Sequence, residues 1–129
     1  MQIIAKTLFL IVSVVNLVPV SGVLSADYLE KLYGVALVDP NLVVLMRHRA
    51  VLFGIVGGLL VIAAFRPSLR PLGLAAGLIS MLSFVLVASL VGDYNAQIRG
   101  AVIIDLVASA LLVGAGLADW WTRRHEAGA

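Results

Sequence analysis

The chain has no cysteine, which removes several chemistries at once. Disulfides, thiolate metal sites, iron–sulfur clusters and a cysteine nucleophile are excluded. Charge is scarce as well: Asp, Glu, Lys and Arg make up 12% of the residues, against about 25% in a soluble domain. The nine basic residues form no dense patch and the formal net charge is only +2, so nucleic acid is not an expected partner. Histidine occurs twice, at His48 and His125, with no metal-binding spacing, and no metal site is expected. Neither a Gly-x-Ser-x-Gly motif nor a phosphate-binding loop is present.

Apolar residues fill the space that these absences leave. They account for 62% of the 129 residues, and the mean hydropathy is +1.11. Long apolar runs at about 3–20, 42–65, 71–91 and 99–119 each suffice to cross a hydrocarbon layer about 30 Å thick. They predict an all-α integral membrane four-helix bundle that forms one domain over 1–129. The first run, with Lys6 ahead of it and SGVLSA behind, also fits a secretory signal. Three further apolar runs make an uncleaved first span the expectation. Between spans one and two, ADYLEKLYG reads as a short amphipathic interfacial helix. Tyr28, Leu29, Leu32 and Tyr33 share its apolar sector, Asp27, Glu30 and Lys31 face water, and Gly34 stops it. Trp120 and Trp121 beside Arg123 and Arg124 form an interfacial anchor after the fourth span.

The stretch 39–65 brings the most charge closest to the longest apolar run. Asp39-Pro40 is a capping carboxylate followed by proline at the first helical position. Arg47, His48 and Arg49 then precede a glycine-rich segment, 50–65, about 24 Å long, so the arginines belong near one interface. Four-span topology brings other polar residues to the same leaflet. Asn16 lies late in span one, Asp105 lies about a turn and a half into span four, and Asp93 and Tyr94 form, with Asn95 and Gln97, the turn after span three, beneath the surface segment bearing Tyr28, Glu30 and Tyr33. Polar groups at such depth are costly, which makes this set the candidate polar pocket.

At about 100° per residue, Arg47 shares a face with Val51, Gly54 and Gly58, the face suited to close helix contact. Arg47 is therefore predicted to point inward and meet Asp105. Left alone at that depth it costs about 2.5–3.5 kcal/mol. Such a pair is either a lock between helices or the polar wall of an anion or headgroup pocket; the third alternative is an Arg47 that snorkels to the interface with no partner. Arg49 aligns with Phe53 and Val56. His48 aligns with Leu52, Ile55 and Leu59; it has the chemistry of a proton carrier or a haem ligand. A lone histidine at a helix end is more often an interfacial polar residue, so no cofactor is required by the residues. Two other functions fit the same residues: a small proton-coupled transporter using Asp105, and a membrane isomerase or oxidoreductase using Arg47 and His48.

A first span, then LYGVALVDPN, then LMRHRAVLFGIVGGLLVIAAF, a glycine-rich third span and a short last one together resemble the DoxX-like group of small bacterial membrane proteins. The resemblance implies a non-enzymatic accessory subunit, or a subunit that binds a small molecule, lipid or quinone, in the bacterial inner membrane. Some relatives are linked to thiosulfate–quinone oxidoreduction as membrane subunits. Similar short proteins carry a phosphopantetheine adenylyltransferase name, but that enzyme's HxGH motif and alternating strands are missing here. With the N-terminus inside, Lys6, Arg66, Arg70, Arg123 and Arg124 are cytoplasmic and Lys31, Arg47, Arg49 and Arg99 are outside. The balance places both termini in the cytoplasm. The expected partners are the bilayer and either further copies of the chain or a membrane subunit.

Overall fold

The order of elements follows from where the chain is capped and where it is broken. The computed structural model describes residues 1–128 and contains helices and turns without a strand among them. Helix α1 spans Gln2–Leu17 and runs into a 3-10 turn at Val18–Val23, because Pro19 offers no N–H for the α-helical ladder. The short helix α2 covers Ala26–Tyr33, α3 Pro40–Phe65, α4 Arg70–Val91 and α5 Ala96–Ala127. Asp39 caps α3 by accepting the Asn41 N–H at 2.8 Å, as its position before Pro40 predicts. Asn95 caps α5 through the Ile98 N–H at 2.8 Å. The last helix continues past the expected end near 119. Neither glycine nor proline occurs between 119 and Gly128, and Thr122 bonds back to the Ala118 carbonyl at 2.9 Å.

Four helices are long and apolar enough to cross a membrane, and the chain is an all-α, multi-pass membrane bundle. Spans α1 and α4 each pack against both α3 and α5, so the four form a ring with α1 and α4 on one diagonal. Phe9, Val12, Leu60, Met81 and Leu112 fill its centre together with alanines from α3 and α5. Lipid tails are as apolar as this core, so cohesion comes from close packing rather than from escape from water. Small residues allow that packing. A Cβ at Gly73 would lie 2.8 Å from the Ala63 Cβ, whereas a Cβ at Gly58 meets nothing within 4 Å. Gly73→Val is therefore expected to cost about 1–3 kcal/mol by overpacking. Thermal unfolding in detergent should show the loss for Gly73→Val and none for Gly58→Val.

That contrast overturns the contact face expected for α3. Its inward residues are Ala50, Gly57, Leu60, Ala63 and Ala64, and Gly57 approaches Leu17 of α1. On the face carrying Val51, Gly54 and Gly58, Gly58 meets nothing within 4 Å and Gly54 meets only Val20, at ordinary contact distance beyond the end of α1. Apolar residues surround α3 almost evenly, so its sequence alone carries no rotational preference.

Helix α2 closes one end of the ring. Ser25 caps it, and Gly34 ends it in the left-handed conformation with φ 64°. Leu29 and Tyr33 are buried as expected, with Leu37, Met46 and Ile98 around them. Glu30, expected in water, instead turns in to accept the Leu37 N–H. Asn95 of the α4–α5 turn donates to the carbonyls of Tyr33 at 2.9 Å and Gly34 at 3.0 Å. The cap is thereby fastened to the start of α5.

Candidate binding cavity

Beneath α2, where α1 and α4 end and α3 and α5 begin, the ring leaves a cavity of about 330 Å³. Its walls are mostly hydrocarbon: Val14, Val15, Val18 and Pro19 from the first span, Leu32 from α2, and Ala101 and Ile104 from α5. Five polar side chains converge on this apolar space: Asn16, Tyr33, Arg49, Gln97 and Asp105. A largely apolar cavity with a few convergent polar groups is the usual form of a small-molecule site.

Arg49 is the charged centre of the site. Its guanidinium carbon lies 5.0 Å from the centroid of Tyr33, 5.1 Å from that of Phe53 and 4.8 Å from that of Phe84. Each such contact contributes about 0.5–1 kcal/mol, and more when water is excluded. Three rings from three helices thus surround this cation, and the carboxylate of Asp105 shares the cavity without forming an ion pair with it. Both ion pairs among the described residues lie elsewhere. Rings offer no lone-pair acceptor, so the five N–H donors of the guanidinium still suit an incoming one.

Two acceptors complete the polar set. Asp105 is 8% exposed and takes part in neither ion pair. Asn16 is 1% exposed; its amide donates to the Val12 carbonyl at 3.1 Å, and its Oδ1 has no partner. A buried unpaired acceptor costs about 1–3 kcal/mol, so its presence at a cavity wall is informative. The two lie at similar depth. Leu8 of α1 sits beside Gly114 of α5, and eight residues along these antiparallel helices bring Asn16 opposite about residue 106. Burial pushes the Tyr33 phenol above its ordinary value, against the opposing pull of Arg49. It therefore stays protonated and able to donate at neutral pH.

The structure thus brings together Asn16, Arg49 and Asp105 of the expected pocket, and leaves four residues out. Arg47 is exposed, and its Nε donates to the Val23 carbonyl at 2.7 Å. The predicted Arg47–Asp105 pair does not form, because α3 is rotated so that Arg49 turns to the cavity instead. His48 is exposed and lines no part of it, so the site does not use the Arg47–His48 combination. Asp93 is exposed, and neither it nor Tyr94 is among the lining residues. Gln97, from the same expected turn, and Tyr33, from the surface segment above it, line the cavity in their place. Phe53 was legible as the residue one turn beyond Arg49; Phe84 belongs to another helix, and only packing brings it near.

The one buried ion pair among the described residues lies at the opposite end. Arg70, 4% exposed, donates through Nη1 to Asp119 Oδ1 at 2.6 Å and to Gln2, while Arg123 Nε reaches Asp119 Oδ2 at 2.8 Å. Arg70 also reaches the Ala63 carbonyl at 3.4 Å, so it touches all four spans. The lock between helices expected of Arg47 and Asp105 is made here instead. Comparison of the chain with family models, with curated proteins and with solved structures found no match in any of the three.

Proposed function

We propose that the chain is a membrane-embedded binding protein for a lipid-soluble small molecule with a polar, uncharged head. One observation carries the reading: Arg49, a donor that takes part in no ion pair among the described residues, shares an apolar cavity with two acceptors, Asp105 and the Asn16 carbonyl. Arg49 and Asp105 balance in charge, so a neutral head replaces their missing contacts without adding an unpaired charge to a dry site. A quinone or quinol has this character: its oxygens accept from Arg49, and in the reduced form its hydroxyls donate to Asp105. The aromatic rings around Arg49 also offer faces against which a flat head can stack.

This reading supports an accessory role and accords with the resemblance to the DoxX-like group. It goes with a place in the bacterial inner membrane and with cytoplasmic termini, which put the cavity in the outer leaflet. The test is native mass spectrometry of protein extracted from its own membrane, together with thermal unfolding in the presence of a short-chain benzoquinone. A bound neutral species and a rise in melting temperature are expected, because a ligand that binds only the folded state stabilises it. A ligand-free spectrum with no thermal shift for the oxidised or the reduced probe would refute the proposal.

A further inference from the structure

A second hollow lies between α3 and α4 on the bundle's outer surface. It has a volume of about 410 Å³, and Leu52, Val56, Ser80, Ser83 and Val87 form its sides. Its inner wall is made by Arg49, Phe53 and Phe84, which also line the cavity. The two spaces are thus separated by one layer of side chains. Leu52 is 47% exposed and Val87 56%, so the groove is open on the face that lipid covers. Ser83 bonds back to the Ser80 carbonyl at 3.0 Å, which satisfies its hydroxyl within α4 and leaves a trough that is hydrocarbon apart from Arg49 and Ser80.

From this shared wall we infer that the ligand is bipartite: its head occupies the cavity, and its hydrocarbon tail passes between Phe53 and Phe84 into the α3–α4 groove. The inference rests on the binding reading above and adds the ligand's form and its route from the bilayer. Apart from Arg49, the groove's polar groups are two small serines, and no second charge is available to hold a second headgroup. Continuity with the cavity makes the occupant an extension of the cavity's own ligand. Phenylalanine side chains separate the spaces, and they move by rotamer changes without unfolding either helix.

The experiment compares two probes on one ring, a methyl-substituted benzoquinone and the same ring with two prenyl units. Each is titrated in one detergent against the wild type, Ser83→Trp and Val87→Trp. Both substitutions fill the groove from exposed positions on α4, outside the cavity wall. The expected result is that both variants bind the tailless probe like the wild type and bind the tailed probe about tenfold more weakly. Equal affinities for the tailed probe in all three proteins would overturn the inference and leave the cavity reading intact. Failure of both probes to bind the wild type would overturn the cavity reading itself. A co-purifying phospholipid lost from both variants, with tailed-probe affinity unchanged, would assign the groove to bilayer lipid and also overturn the inference.

Discussion

Asp119→Leu is expected to be the most destabilising single substitution in the bundle, with a loss of about 3–5 kcal/mol. The reason is what it leaves behind. Arg70 is 4% exposed and keeps only Gln2 and backbone carbonyls once Asp119 is gone. An uncompensated buried cation is worse than a lost contact. Arg70→Leu should cost less, because Asp119 retains its second partner, Arg123, at 2.8 Å. The double variant Arg70→Leu/Asp119→Leu should recover much of the loss, since an apolar pair of similar volume replaces a desolvated one. Arg123→Ala should change little: that side chain is 48% exposed, and such pairs contribute about 0–1 kcal/mol. Thermal unfolding of the four variants in detergent checks the order. Equal losses for both single variants with no recovery in the double would show that the pair does not hold the helices together.

The largest functional effect is expected at Arg49. Arg49→Met keeps the length and apolar stem of the side chain and removes its donors. A hydrogen bond from a charged donor contributes about 1.5–3 kcal/mol, so short-chain quinone affinity should fall about 10- to 100-fold. Arg49→Lys should rescue only part of the loss, because a compact ammonium matches neither the planar donor fork nor the stacking on Phe53 and Phe84. Arg47→Met, two residues away, should bind like the wild type, since its Nε serves the Val23 carbonyl outside the cavity. Titration of the three variants with the probe decides the matter. A loss at Arg47 matching that at Arg49 would contradict the orientation of α3.

The comparison of neighbouring arginines shows where sequence reading stops. Depth is legible: Asn16, the 47–49 triplet and Asp105 all fall toward the end of the bundle that α2 covers. Facing is not. Along a helix, each step turns the side chain by about 100°, so Arg47 and Arg49 point about 160° apart. Glycine content suggested the face of Gly54 and Gly58 as the contact surface, but Gly57 makes the tight approach to α1, while Gly54 meets only Val20 at ordinary contact distance and Gly58 meets nothing. Local features fared better. The Asp39 cap, the Gly34 stop and the amphipathic α2 depend on neighbours within a few residues, and each lies where the sequence places it.

Hydropathy, caps and breakers therefore determined by themselves that this is an all-α bundle of four membrane spans with a surface helix after the first. Those properties belong to single segments and to their transfer into hydrocarbon. Which residue of the basic triplet enters the cavity, and which carboxylate is paired, only the tertiary structure decided. A helix that is apolar on every side is at home in lipid at any rotation. The choice falls to interlocking contacts such as Gly57 against Leu17 and Gly73 against Ala63, between residues far apart in the chain.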